Sequence, residues 1–340
     1  DPAWGSSSGG MEYPTLFTGG ANVIAPIELQ SPESVTVHEA GHQFWYGLVA
    51  TNEFEEAWLD EGFNTYMTGK AVDHAYGPRG RAARYFGGQF GRGAKTGWPV
   101  VAPEVWIPRG GSRRVDLRAD GEKDPMAVPA WTYRDRSSYG TNSYDKPALV
   151  LQTLEALLGD ETMIRVLRTY ARRYMYAHPT TEDFIAVVNE VTGEDWRWFF
   201  EETFFSSNEC DYGVLVSVQR APPASGWIEG PEGPLELALP AKGASGGDWR
   251  SRVTVGRHGE VRLPVEVRIE LDDGRAVDET WDGRDRWTRY EYPGAKVVRA
   301  VVDPRGKLAL DIQPGNNEWI QDVGPARRSA TKWAARWMFW

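Results

Sequence analysis

Apolar positions along the chain change period near residue 209. Up to about Asn208 they recur at helical spacing. Ser31-Pro32-Glu33 places a hydroxyl before a proline at the first helical position, with a carboxylate in the first turn. That predicts a helix over residues 32–49. Pro147 opens a second helix, which Gly159 stops, and a third is expected over 161–176. Thr180-Thr181-Glu182-Asp183 reads as the cap of a fourth, and residues 196–205 form the last. Residues 87–143 mix Gly, Pro, Arg and aromatic side chains without a clear period, so a long irregular region, functional or packed, is expected there. From about Cys210 to Gln313 the period is two. Val261, Leu263, Val265, Val267, Ile269 and Leu271 alternate with polar partners, the pattern of a half-buried strand. Asp272-Asp273-Gly274 turns that strand into the next, and Pro264 argues for an edge position or a bulge. Residues 214–218, 235–239 and 297–302 add runs at sandwich spacing. The end of the chain, from about Pro325, reads as a basic helix carrying Trp333, Trp337, Phe339 and Trp340. The pattern therefore predicts an α+β multidomain chain. A mainly helical unit is expected at 1–208, an antiparallel β-sandwich at 209–315, and a tail at 316–340.

Composition narrows the classes. With 41% hydrophobic and 25% charged residues in 340, the chain is neither disordered nor fibrous. Lys and Arg number 38 against 48 Asp and Glu, a net charge of −10, which is the wrong sign for tracking nucleic-acid phosphates. No window approaches the roughly 18 uninterrupted apolar residues of a membrane helix. The single cysteine excludes a disulfide framework and a multi-cysteine metal site. It leaves the compartment open.

The chemistry concentrates in His38-Glu39-Ala40-Gly41-His42. Two histidines four apart share one helical face, so both imidazoles reach a single metal ion. A catalytic zinc takes three protein ligands and keeps one position open. Glu61, in the helical segment Ala57-Trp58-Leu59-Asp60-Glu61-Gly62-Phe63, follows His42 after eighteen residues. That length suffices for a helix end, a loop and a return, so Glu61 is the expected third ligand. Glu39, between the histidines, is placed to approach a metal-held water from the side. The chain has only five histidines, and His74, His178 and His258 stand alone as structural residues.

In these segments the chain resembles the gluzincin zinc aminopeptidases, the family of aminopeptidase N and leukotriene hydrolase. Gly9-Gly10-Met11-Glu12-Tyr13-Pro14 is similar to the family's exopeptidase motif, placed upstream of the zinc helix. Tyr139 and Tyr144, the latter in Tyr144-Asp145-Lys146, resemble its paired downstream tyrosines, and residues 178–184 are similar to its late helical region. The likeness spans about 9–205. It implies a thermolysin-like peptidase domain followed by a β-sandwich, one zinc ion, and peptide substrates with a free N-terminus. It further implies that zinc-bound water attacks the peptide carbonyl while Glu39 acts as general base, then general acid. Tyr144 would stabilise the oxyanion. Glu12 would pair with the substrate α-ammonium, with Gly9, Gly10 and Met11 beside the substrate strand. The chain departs from the family at Tyr13 and Asp60, where Asn is usual, and at Pro147, where Gly is usual. It departs again at Thr68, where many members carry a carboxylate that supports a zinc histidine.

Two alternatives remain: a zinc endopeptidase, or a non-catalytic binding module with a vestigial metal site. Relatives carry further domains, so the chain is expected to be a piece of a longer protein. Its basic aromatic tail suggests contact with a membrane surface. An extracytoplasmic or membrane-associated location is favoured.

Overall fold

The computed structural model describes residues 10–19, 31–77, 79–81, 106–108, 111–220, 226–231, 233–237 and 248–321. Gly9 and the aromatic tail lie outside them, as does the stretch 82–105. The chain divides between Glu209 and Cys210, and Lys307–Ile312 returns to the first unit. The sequence pattern had assigned that return segment to the β-rich region.

The first unit opens with a hairpin of Met11–Tyr13 (β1) and Leu16–Thr18 (β2), in which Glu12 faces Phe17. Ser31–Gly41 forms α1, which ends eight residues before the pattern predicts. Turns follow because the chain reverses: Gly47 N–H bonds back to the His42 carbonyl at 2.9 Å, and Tyr46 adopts φ 86°, which no helix contains. His42 sits one residue past α1, yet its amide still bonds the His38 carbonyl at 3.2 Å. The four-residue spacing of the histidines survives that single extra turn.

Glu53–Tyr76 forms α2, whose first turn is capped by Asn52, its side chain accepting from the Phe54 amide. A kink at Glu56 (φ −142°, ψ 66°) frees that carboxylate to accept the Thr181 amide at 3.0 Å. Beyond it, every residue from Ala57 to Tyr66 is buried, which makes α2 the central helix. A short pair, Arg79–Arg81 (β3) with Trp106–Pro108 (β4), precedes Gly111–Asp120 (α3). Helix α3 lies inside the region expected to be irregular. Its apolar content is too low for a readable period, and tertiary bonds hold it instead: Arg114 Nε donates to the Ala309 carbonyl at 3.0 Å in the return segment.

Arg136–Gly140 (α4) is capped by Asp135, and Lys146–Leu158 (α5) begins at the expected proline. Between them Thr141–Asp145 makes a π-helical turn, which bulges one residue outward. Asp160–Tyr174 (α6), Thr181–Thr192 (α7) and Arg197–Thr203 (α8) follow the predicted pattern, with the Thr180–Asp183 capping box formed. An aromatic core of Trp58, Phe63, Tyr170, Phe184, Phe200 and Phe204 holds α2, α6, α7 and α8 together. The Trp58 indole N–H donates to Thr181 Oγ1 at 2.8 Å, so this large buried ring keeps no unmet polar group.

The second unit is antiparallel. Its strands are Tyr212–Arg220 (β5), Gly226–Gly230 (β6), Gly233–Leu237 (β7), Trp249–Arg257 (β8), Val265–Leu271 (β9), Ala276–Trp281 (β10), Trp287–Pro293 (β11), Val297–Val302 (β12) and Glu318–Ile320 (β13). They form one sheet in the order β10-β9-β12-β13, another in the order β11-β8-β5, and the separate pair β6-β7. In β9 the residues Val265, Val267, Ile269 and Leu271 are buried, as their alternation predicts. The strand starts one residue after Pro264, and Gly274 (φ 87°) closes its hairpin with β10. Among the described residues, no helix is long and apolar enough to cross a membrane.

Candidate active site and metal centre

Helices α1 and α2 bring His38, His42 and Glu61 to one point. His38 Nε2 lies 3.1 Å from His42 Nε2 and 3.1 Å from Glu61 Oε2, and the third side of the triangle is 3.3 Å. A tetrahedral ion with bonds of about 2.0–2.1 Å holds its ligands about 3.3 Å apart, so the donor spacing already matches such an ion. The donor set fits as well: two imidazole nitrogens and one carboxylate oxygen are what catalytic zinc takes. Burial disfavours the Glu61 charge, but hydrogen bonds from His38 and His42 outweigh it and hold the carboxyl at about 2. Burial likewise opposes a charge on His42, yet hydrogen bonds to Asp60 and Glu61 and their charges raise it to about 10.

Each of these residues is held from behind. Asp60 Oδ1 accepts from His42 Nδ1 at 2.7 Å, with both groups inaccessible, which turns Nε2 toward the triangle. At Thr68 the carboxylate expected behind a metal-site histidine is missing; Asp60, another departure from the family pattern, places a carboxylate behind His42. Asn64 Nδ2 donates to the His38 carbonyl at 2.6 Å. Tyr144 donates its hydroxyl to Glu61 Oε1 and stacks near His38, with ring centroids 6.0 Å apart. The π-helical turn presents Tyr144 to Glu61, and Gly62 lets the start of α5 pack closely on α2: a Cβ there would meet Pro147 Cβ at 2.5 Å. Burial and the Glu61 charge push the Tyr144 hydroxyl far above its usual range, so it remains a donor at any ordinary pH. Tyr139 packs edge-on to Tyr144 at 6.4 Å.

Glu39 is buried, and its Oε2 has no hydrogen-bond partner among the described residues. Burial raises its carboxyl above the usual range; His38 and His42 pull it down, and Glu12 and Glu61 push it up. Gly10 lies directly on it, since a Cβ at Gly10 would sit 1.9 Å from Glu39 Oε1. The close approach expected of Gly10 toward substrate is, in the structure, an approach to Glu39. Glu12 stands on the other side, with one carboxylate oxygen within 4.8 Å of donor atoms of His42 and Asp60. Met11 is half exposed at the rim. Gln43 places this hairpin: its Oε1 accepts the Thr15 amide at 2.9 Å, and its Nε2 donates to the Tyr13 carbonyl at 3.1 Å.

Sequence reasoning missed Gln43 and Asn64. The signal for Gln43 was a long amide directly after the second histidine. For Asn64 it was a polar residue on a helix face that is otherwise fully buried.

Two histidines and a glutamate around a metal-sized gap, with a buried unpaired carboxylate alongside, define a metallopeptidase type of centre. The chain belongs to peptidase family M1: the Peptidase family M1 domain matches residues 5–203. It is 30% identical over 167 residues to Aminopeptidase M1-D of Oryza sativa, covering 47% of this chain and 16% of that protein. It is 24% identical over 296 residues to Aminopeptidase 2 of Candida albicans, covering 82% of this chain and 29% of that protein. Its fold is similar to aminopeptidase A of Legionella pneumophila, solved in complex with aspartic acid, with a TM-score of 0.50 at 14% identity, over 83% of this chain and 27% of that one. The chain thus spans less than a third of the length of these relatives.

Proposed function

We propose that this chain carries the catalytic centre of a zinc aminopeptidase, a thermolysin-like domain followed by a β-sandwich, which removes N-terminal residues from peptides. The observation that carries this reading is the 3.1–3.3 Å triangle of His38, His42 and Glu61 with the unpaired Glu39 carboxylate beside it. His38, His42 and Glu61 would hold the zinc, which when bound supplies Lewis acidity toward water and the scissile carbonyl.

The side chains do the rest. Glu39, raised by burial, takes the proton of the attacking water at its carboxylate and returns it to the departing amine. Tyr144 keeps its proton and donates to the carbonyl oxygen as negative charge builds there. Glu12 pairs with the substrate α-ammonium, because a buried cation needs a compensating anion. The α-ammonium then ends the substrate at that point, and cleavage falls one residue in.

Hydrolysis of aminoacyl-arylamides by the chain, abolished by a chelator and restored by one equivalent of zinc, tests the reading. Glu39→Gln should keep zinc and lose turnover by several orders of magnitude, since an amide accepts no proton. Full activity in that variant, with metal content verified, removes Glu39 from the mechanism.

A further inference from the structure

A cleft of about 390 Å³ opens beside His38 and Glu39, walled by Ser34 and Val35 on α1, Thr65 and Thr68 on α2, Arg113 on α3, and Asp145. Ser34 lies one turn before His38, whereas Glu12 groups with His42 and Asp60 at the other end. At 1.5 Å of rise per residue, the two ends are about 12 Å apart along the axis. A peptide whose α-ammonium rests at Glu12 and whose first carbonyl lies at Glu39 therefore directs its second residue into this cleft.

Its wall holds donors that lack close acceptors. Arg113 has five N–H groups and a side chain only 17% exposed. Among the described residues its acceptors are Asp145 Oδ1, 3.6 Å from Nε, and the Thr65 carbonyl, 3.5 Å from Nη2. Both are longer than a good hydrogen bond. Thr65 and Thr68 are 7% and 4% exposed, and among the described residues neither hydroxyl has a hydrogen-bond partner. Buried polar groups without partners are costly, so this wall is built for a ligand that brings acceptors. A carboxylate brings about four acceptor sites in the plane that a guanidinium matches. Glu39, Glu61 and Asp145, with Asp73 behind Arg113, would otherwise repel such an anion, which leaves the Arg113 guanidinium to decide whether it enters.

We propose that this cleft receives the residue following the scissile bond and that Arg113, with Thr65 and Thr68, selects leaving fragments that carry a carboxylate. The proposal rests on the aminopeptidase reading. Two sources share the chemistry: an acidic side chain at the second position, or the C-terminal carboxylate of a dipeptide.

The test uses the full chain loaded with zinc. It measures kcat/KM on Ala-Glu-Gly, Ala-Gln-Gly and Ala-Lys-Gly amides, on Ala-Gly and its amide, and on an alanyl-arylamide. Arg113→Gln and Arg113→Lys are compared with wild type after circular dichroism and metal analysis. The wild type should favour the carboxylate member of a pair by about ten- to a hundredfold, and Arg113→Gln should reduce that ratio to within about threefold of unity. Arg113→Lys, which keeps the charge without the fork, should retain part of it. Preference for Ala-Glu-Gly amide over its Gln partner assigns the side-chain source, and preference for Ala-Gly over its amide assigns the C-terminal one. Equal rates in the wild type, or a preference that survives Arg113→Gln, overturns the proposal and leaves the aminopeptidase reading standing. No hydrolysis of any free-amine substrate, arylamide included, fails that reading itself. If Arg113→Gln does not fold, the wild-type panel and Arg113→Lys still decide.

Discussion

Removing the carboxylate behind His42 should weaken metal binding. Asp60 accepts from His42 Nδ1 at 2.7 Å, both groups are at most 1% exposed, and among the described residues Asp60 Oδ2 has no hydrogen-bond partner. A hydrogen bond to a charged group contributes about 1.5–3 kcal/mol, and a partner lost behind a metal ligand costs about 10–100-fold in metal affinity. Asp60→Ala should lose about that much. Asp60→Asn keeps an oxygen for Nδ1–H but loses the charge, so about three- to tenfold is expected. Burial pushes the Asp60 carboxyl up to about 7, and the same carboxylate helps raise His42 to about 10, so the pair is coupled. Asp60→Asn should shrink the melting gain on adding zinc by about 1.4 kcal/mol per tenfold of affinity lost. Zinc affinity is measured by competition with a chromophoric chelator, alongside melting with and without zinc. If Asp60→Ala binds zinc within twofold of wild type, or if Asp60→Asn binds more weakly than Asp60→Ala, the argument fails.

Three further outcomes are expected. Glu12→Ala should slow hydrolysis of free-amine peptides far more than it lowers zinc content, and acetylating the substrate should make the substitution nearly silent; a wild type that cuts free and acetylated peptides equally well is an endopeptidase instead. Tyr144→Phe should reduce kcat by about 10²–10³, and a change confined to KM would contradict its role as a donor to the developing oxyanion. Lys146 is buried against the Gly121 carbonyl at 2.9 Å, and burial lowers its ammonium to about 8. Between that value and the unfolded one near 10.4 the unfolded chain binds the extra proton, so stability from this group rises with pH there. Relative to Lys146→Met, the wild type should therefore gain on the order of 1–2 kcal/mol in denaturant stability between pH 7.5 and 9.5, and no relative gain would place the ammonium outside the core.

What could be read from the residues alone was whatever local spacing determines. His38 and His42 pair through helix geometry, Thr180–Asp183 through a local capping box, and β9 through simple alternation. The end of α1 was not readable, because it depends on the reversal through Tyr46 rather than on a proline or a glycine stop. Helix α3 was invisible for the opposite reason: its support comes from Ala309, 195 residues away. Asp60 looked like a deviation from a familiar pattern. Only the meeting of α1 and α2 shows that its charge falls on His42.

The return segment sets a constraint on synthesis. Leu308, Leu310 and Ile312 are buried, and the Leu310 amide reaches Thr153 Oγ1 at 3.3 Å, inside the helical unit. A ribosome must therefore make all the strands from β5 to β12 before it delivers the residues that complete the helices around the metal centre. Until then the surfaces of Arg114 and Thr153 wait unfilled. An excision that stops at residue 209 would leave out that segment, so the helical unit is not one contiguous stretch of the chain.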